Sequence, residues 1–397
     1  MNKTKKVYFF RYSSGMPHEL YLELFRNPPE GYEYITQDML NPKKISVQKI
    51  GALKRFKILT WLNKKVLRRF ISPHEMIQKL SQLKEAPEEA EIVHAENCLY
   101  FGKKPWIVDM ESVNALTGHN KYMLRKNKKL IEETFAKPNC KAIITFTNFA
   151  KKTIEANLDT SKFKDKIEVI HYSTKTYTEK EKRKDNKIRF LFVGSVSNST
   201  PVNFYMKGGK EVIDVFEILN KKYRNLELIL VTCIPREIEE RIKKIKNIKM
   251  HNMISRKELS KIFHQCDIFL YPTLIAPGLA SIEALATGLV TLGLDLPEND
   301  EVIENRKNGF LIKPVYYEFS EHNFIQISEF WEFTKRTWGK NGPKVVEGLV
   351  EKAELLIKNP KIRKKMGEEA KIKYQKEFSL DIKRKRLKEI FDGILTR

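Results

Sequence analysis

The run Asp267-Ile268-Phe269-Leu270-Tyr271-Pro272-Thr273 is apolar and strand-like, and it meets a loop carrying Pro277 and Gly278. That loop opens onto Leu279-Ala280-Ser281-Ile282-Glu283-Ala284-Leu285-Ala286-Thr287, a helical composition with one carboxylate near its start, which Gly288 closes. A second apolar run, Leu289-Val290-Thr291-Leu292, follows at once. Two buried strands joined through a helix pack as neighbours in a parallel sheet covered on both faces. In such a sheet the strand-end loop and the head of the helix are where ligands bind. Backbone N–H groups at a helix start suit phosphate, and a carboxylate close by accepts hydrogen bonds from ribose or sugar hydroxyls.

The same alternation runs along the chain. Strand-like segments at Val7-Tyr8-Phe9-Phe10, Glu91-Ile92-Val93-His94, Trp106-Ile107-Val108-Asp109, Ala142-Ile143-Ile144-Thr145 and Ile167-Glu168-Val169-Ile170 are separated by helical patterns, one of them over 121–134. Residues 172–187 are polar and dense in charge, the composition of a linker. The alternation restarts at Ile188-Arg189-Phe190-Leu191-Phe192-Val193, followed by a helix over 209–223 with Val212, Val215, Phe216 and Leu219 on one face. Further strands at 226–231 and 248–250 and helices near 237–244 and 257–264 lead back to Asp267. Residues 315–344 break the pattern with a cluster of Tyr, Phe and Trp, and helices follow over 345–358 and from about 361. The pattern predicts an α/β chain of two Rossmann-like, doubly wound domains facing a cleft, one over 1–180 and one over 181–370. A length of 397 residues suits two such domains.

The formal net charge of +24 attracts polyanions: nucleic acid, an anionic membrane face or phosphorylated substrates. A lysine-rich composition without any such partner gives the same number. No RRM, KH or zinc pattern is present and the basic residues are dispersed, which argues against nucleic acid. Cys98, Cys140, Cys233 and Cys266 lie far apart, against a zinc site or a disulfide framework and in keeping with a reducing cytoplasm. No apolar run reaches membrane-spanning length. The basic start Met1-Asn2-Lys3-Thr4-Lys5-Lys6 leads into a short strand interrupted by Arg11 rather than a signal-peptide core. Residues 53–71, from Leu53-Lys54-Arg55-Phe56 to Arg69-Phe70-Ile71, set Phe56, Leu59, Leu62, Val66 and Phe70 at helical spacing among Lys and Arg, with Trp61 beside them. Such a helix either lies in an anionic membrane surface or packs on the core with a cationic outer face.

Four further motifs carry chemistry. Gly194-Ser195 ends the strand at 190–193, and Lys207-Gly208-Gly209 precedes a helix, so a flexible loop, a cation and a helix start fall together. Glu283, taken alone, reads as an acid favouring the positive end of its helix, and the surrounding Pro277–Gly288 stretch turns the reading toward a ligand contact. The strand ending Asp109-Met110-Glu111-Ser112 carries two acids at i and i+2, a spacing that shares one strand face. His119 lies in the next loop, and Ser13-Ser14-Gly15 follows the first strand.

Together, residues 267–292 with Gly194 and Lys207-Gly208 resemble the donor-site signature of the retaining GT-B glycosyltransferases, in particular family 4 (group 1). Glu301-Val302-Ile303-Glu304 and Asn308-Gly309-Phe310-Leu311-Ile312 also resemble that family's downstream loop and turn. The resemblance implies transfer of a sugar from a nucleotide-sugar donor to a glycan or lipid-linked acceptor, by a hexosyltransferase-type enzyme needing no cofactor and no essential metal. It implies donor contacts at Gly194, Ser195, Lys207, Gly208, Gly278, Leu279, Ala280 and Glu283, with Lys207 stabilising the leaving diphosphate. Glu111 or Asp109 then serves near the reaction centre, and Ser14, Gly15 and His119 line the acceptor side. A final helix within 371–397 crosses back to the first domain, and the enzyme is cytoplasmic, peripheral at the membrane face through residues 53–71. Two departures stand out: Ser195 replaces the family's arginine, and Ile275 replaces the first of its two glutamates. They keep open a nucleotide-sugar epimerase or an inactive GT-B protein, and the charge keeps open a basic nucleic-acid-binding protein.

Overall fold

The computed structural model describes residues 4–11, 17–36, 85–175, 185–194, 201–252, 254–274, 278–315 and 330–396. The chain divides into two compact units, the first formed by Met1–His171 with Lys383–Arg397, the second lying within Tyr172–Ile382. Each holds a six-stranded sheet in which every described pairing is parallel.

In the first unit the strands are β1 (Lys5–Phe10), β2 (Tyr32–Thr36), β3 (Ile92–Glu96), β4 (Trp106–Met110), β5 (Cys140–Thr145) and β6 (Ile167–Val169), in spatial order β2-β1-β3-β4-β5-β6. β4 is buried along its whole length and β3 along all but its last residue, which is why they read as near-continuous apolar runs. β2 has no counterpart in the sequence-based pattern: Tyr32-Glu33-Tyr34 alternates buried and exposed, as an edge strand does, but over too few residues to register. Helices α1 (Glu19–Arg26), α2 (Lys121–Ala136) and α3 (Asn148–Asn157) follow strand ends. The Asn120 side chain caps α2 by accepting from the N–H groups of Tyr122 and Met123, and Thr147 caps α3.

The second unit carries β7 (Ile188–Val193), β8 (Leu226–Val231), β9 (Ile248–His251), β10 (Ile268–Tyr271), β11 (Val290–Leu294) and β12 (Gly309–Ile312), in the order β12-β11-β10-β7-β8-β9. Its helices are α4 (Pro201–Met206), α5 (Gly209–Lys222), α6 (Arg236–Ile242), α7 (Arg256–Gln265), α8 (Leu279–Thr287), α9 (Asn299–Val302), α10 (Phe330–Lys358) and α11 (Pro360–Lys373). Phe190, Phe192, Val212, Phe216 and Leu228 form one side of its core, and Leu191, Ile229, Phe269 and Tyr271 the other. α10 starts well before residue 345, where the sequence places it, because Gly339, Gly342 and Pro343 read as helix breakers yet lie inside it.

The helix expected from about 361 onward is interrupted. A π-helical turn spans Tyr374–Phe378, and the last helix, α12 (Leu380–Leu395), begins after Ser379. The interruption lets Ser379 bridge to Thr174 and the Tyr374 hydroxyl donate to the Thr174 carbonyl at 2.7 Å. From Lys383 onward α12 belongs to the first unit. There Leu387 and Phe391 are fully buried, Tyr32 donates to Asp392 Oδ1 at 2.6 Å, and Arg386 pairs with Glu168 at 2.9 Å.

Candidate functional site

In the second sheet the chain leaves β7 toward β8 on one side and returns as β10 on the other, so a topological switch point lies between β7 and β10. The crevice outside the carboxyl ends of strands at such a point is where open α/β sheets bind ligands. Gly194 sits at the end of β7, its N–H donating to the Val231 carbonyl at 2.9 Å. Across the switch point, the loop after β10 is tied to the turn before α5 by the Leu274 N–H donating to the Met206 carbonyl at 2.9 Å.

Gly208 makes that close approach. Its φ of +77° is left-handed, and a Cβ there would lie 2.5 Å from the Pro272 carbonyl oxygen. No other residue meets both demands without strain. The turn delivers Lys207 to the head of α8: its Nζ lies 5.7 Å from the Tyr271 ring centroid and 3.9 Å from where a Cβ on Gly278 would stand. Among the described residues no hydrogen bond or ion pair holds this ammonium. Lys207 is half-buried, and burial pushes its pKa down to about 8.

Gly278 caps α8 with extended backbone, and its own N–H donates to the Tyr271 hydroxyl at 2.9 Å. The Gly278 carbonyl accepts from Ser281 Oγ at 2.8 Å. The N–H groups of Leu279 and Ala280 stand at the head of the helix, where no intrahelical acceptor exists. A cation and a helix head therefore converge on one point, a positive locus shaped for an anion.

Glu283, in the second turn of α8, is 8% exposed. Its carboxylate meets the fork of Arg256, Nη2 bonding Oε1 and Nη1 lying 3.4 Å from Oε2. Arg256 is the first residue of α7, whose start is fixed by a capping box: Ser255 Oγ accepts from the Glu258 N–H, and the Ser255 N–H donates to Glu258 Oε2 at 2.9 Å. The sequence reading missed Arg256. Ser255-Arg256-Lys257-Glu258 signals the helix start, but which helix α7 packs against is a tertiary fact.

The first unit has its own switch point, between β1 and β3. Arg11, just past β1, and Glu96, at the end of β3, meet across it with Nε and Oε2 3.1 Å apart. Burial, with Asp109 and Glu111 adding and Arg11 opposing, raises Glu96 to a pKa of about 7. Asp109, in register beside Glu96, is buried and fully engaged. Tyr21 donates to its Oδ1 at 2.7 Å, and His94 Nε2 lies 3.0 Å from its Oδ2. His94 Nδ1 in turn lies 2.9 Å from the Tyr34 hydroxyl. His94 thus links Asp109 to Tyr34 in one buried hydrogen-bonded chain. Burial, with Asp109 adding, drives both tyrosines well above the ordinary phenol range.

Glu111, by contrast, is exposed, its N–H donating to Asn97 Oδ1 at 3.1 Å. The two acids do not share a strand face, because β4 ends at Met110. His119 is exposed in a left-handed turn with φ of 58°. Lys383 of α12 is 2% exposed, its ammonium 5.0 Å from the Phe146 ring centroid and without a hydrogen-bond partner among the described residues. Burial lowers its pKa to about 8, against the pull of Asp109. Ser14, Gly15, Ser195, Ile275 and residues 53–71 lie outside the described residues.

Two parallel α/β units of this kind define the GT-B architecture. Residues 173–345, which hold Gly194, Lys207, Arg256 and Glu283, match the family model described as Glycosyl transferases group 1. No curated protein matches the chain. A glycosyltransferase from Rickettsia africae ESF-5 is similar in structure over 100% of this chain and 99% of its own, at 15% identity and a TM-score of 0.59. HepE of Anabaena, solved with UDP-glucose, is similar over 98% of this chain and 99% of its own, at 14% identity and a TM-score of 0.58. The pneumococcal O-GlcNAc transferase GtfA, solved with UDP and GlcNAc, is similar over 77% of this chain and 57% of its own, at 16% identity and a TM-score of 0.52.

Proposed function

We propose that the protein is a retaining glycosyltransferase of the family 4 type that moves a hexosyl group from a nucleoside-diphosphate sugar to a hydroxyl of a glycan or lipid-linked acceptor. The observation that carries the reading is the Lys207 ammonium at the head of α8, beside the switch point of the sheet inside the matched region. Breaking the bond between the anomeric carbon and the β-phosphate oxygen leaves the electron pair on the diphosphate. Lys207 and the α8 amides meet that charge as it develops, the countercharge a metal ion supplies elsewhere. Glu283 accepts from the donor ribose. Glu96 and Glu111 of the first unit face the acceptor, with Asp109 holding Tyr21 and His94 in place behind them.

UDP is the first nucleotide to test, since HepE and GtfA were solved with UDP or a UDP-sugar. Thermal-shift titration with UDP-, GDP- and ADP-sugars should stabilise the protein where RNA does not, and stabilisation by RNA alone overturns the reading. Ile275 and Ser195 favour a second reading, an epimerase on the same fold. It predicts an altered donor sugar in the absence of any acceptor. A cytoplasmic enzyme held at the anionic membrane face by residues 53–71 accounts for their basic amphipathic pattern. No described helix is long and apolar enough to cross a membrane. Failure to sediment with anionic vesicles at low salt would remove the membrane part alone.

A further inference from the structure

We propose that Tyr271 is the positioning residue of the donor site, its ring seating the Lys207 ammonium and its hydroxyl holding the head of α8 beside that ammonium. This rests on the nucleotide-sugar reading above and adds what keeps cation and helix head together. Tyr271 ends β10 and is 1% exposed. Its ring stacks on Phe269, two residues earlier on the same strand face, with centroids 5.2 Å and planes 23° apart. A ring held in this way is a fixed platform.

Two contacts leave that platform. Lys207 Nζ stands over the ring, 5.7 Å from its centroid, within reach of a cation–π attraction. The hydroxyl accepts the Gly278 N–H at 2.9 Å, joining the strand end to the helix head. Ring and hydroxyl form one rigid plane, so the two contacts together fix how far the ammonium stands from Gly278. The separation is short: a Cβ on Gly278 would lie 3.9 Å from Nζ. The hydroxyl also decides which amides face a ligand. It takes the Gly278 N–H and leaves those of Leu279 and Ala280 at the helix head.

A buried tyrosine ordinarily finds a partner for its hydroxyl, so that bond alone would be packing. The ammonium makes the difference. Burial strips Lys207 of hydration, and a ring face is a surface that favours its charged form. Burial also pushes the Tyr271 phenol up to about 12, with the Gly278 N–H and Ser281 opposing and Glu298 adding, so the phenol stays neutral where Lys207 titrates. The pH dependence of anion binding therefore reports the ammonium and not the phenol.

The test measures UDP binding to the full chain by calorimetry from about pH 7 to 9.5, with ADP and GDP alongside, for wild type, Tyr271→Phe, Tyr271→Leu, Lys207→Ala and the double variant of Tyr271→Phe with Lys207→Ala. Thermal unfolding is followed for each. Wild-type affinity is expected to bend downward near pH 8, where the Lys207 ammonium is lost. Tyr271→Phe keeps the ring and drops the tie, so it should bind about tenfold more weakly with the bend in place. Tyr271→Leu drops both, and its bend should move down by about one pH unit, since no ring favours the charged form. In the Lys207→Ala background Tyr271→Phe should cost less than it does alone, because the tie acts by holding the helix head against the ammonium. A purely structural tyrosine would lower the unfolding temperature and leave the affinity of the folded protein unchanged. The proposal is overturned by that result, by a bend that Tyr271→Leu does not move, or by full additivity with Lys207→Ala. Tighter binding by Tyr271→Phe would overturn it too, since a phenol competing with the ligand for the Gly278 N–H has that effect. If Tyr271→Leu does not fold, Tyr271→Phe and the double variant decide. Wild type binding none of the three nucleotides would overturn the nucleotide reading itself, an outcome distinct from binding that Tyr271 leaves untouched.

Discussion

In the proposed donor site, Lys207 is the residue whose charge state governs anion affinity. Its pKa of about 8 means that the ammonium is mostly present at pH 7 and lost as pH rises through 8. A bound diphosphate favours the charged form and so pulls the pKa back up. Affinity for a nucleoside diphosphate should therefore hold between about pH 7 and 7.5 and fall toward pH 9.5. Lys207→Ala should bind about tenfold to a hundredfold more weakly at pH 7, the worth of one charge-assisted contact. It should also lose that pH dependence, which calorimetry across the range reads directly. Equal slopes in the two proteins would remove Lys207 from the anion site. The places of Lys207, Gly208 and Glu283 at strand-loop-helix junctions were legible in the sequence, because neighbours along the chain announce that geometry. Arg256 was not, because its meaning depends on α7 lying against α8. Asp109 and Glu111 were misjudged as a face-sharing pair for a smaller reason: i and i+2 share a face only while the strand continues, and β4 stops between them.

Among the elements, α12 is the one whose place the pattern of apolar residues least explains. Its face toward the first unit includes Lys383, an ammonium enclosed against Phe146 where an aliphatic side chain would be ordinary. The unfolded chain keeps that proton up to about pH 10.4, whereas the folded protein releases it near 8. Between those values the unfolded state binds more protons, so the stability contributed by this group rises with pH, and the penalty is complete below pH 8. A shift of this size corresponds to roughly 3 kcal/mol. Lys383→Met preserves the length of the side chain and removes the charge. It should be more stable than wild type at pH 7, and the difference should shrink toward pH 10, as measured by urea unfolding at several pH values. A difference that does not change with pH would mean that Lys383 keeps its proton in the folded state. The breaks around α12 were equally hidden, since a π turn at Tyr374–Phe378 leaves the helical spacing of the sequence almost undisturbed.

For the whole molecule, the alternation of strands and helices made two doubly wound units readable, because parallel sheets buried on both faces write long apolar runs into the sequence. The order of strands within each sheet was not readable, and it is that order which puts a switch point at β1 and β3 and another at β7 and β10. The return of the chain is a further fact of the whole molecule: residues 383–397 complete the first unit although they follow the second. Truncation after Ile382 removes Leu387 and Phe391, both fully buried, with the Tyr32–Asp392 and Arg386–Glu168 contacts. Loss of two buried side chains of this size costs about 5 kcal/mol or more, comparable with the whole stability of a domain, roughly 5–15 kcal/mol. The first unit should therefore unfold at low temperature in the truncated chain, while the second keeps its sheet, Lys207, Arg256 and Glu283. Calorimetry should show one early transition insensitive to nucleotide and one later transition that UDP raises, as a ligand bound only to the folded form must. Hydrogen exchange should lose protection in β1–β6 and retain it in β7–β12. A single cooperative transition in the truncated chain, with nucleotide binding abolished, would show that the second unit does not hold its site without the first.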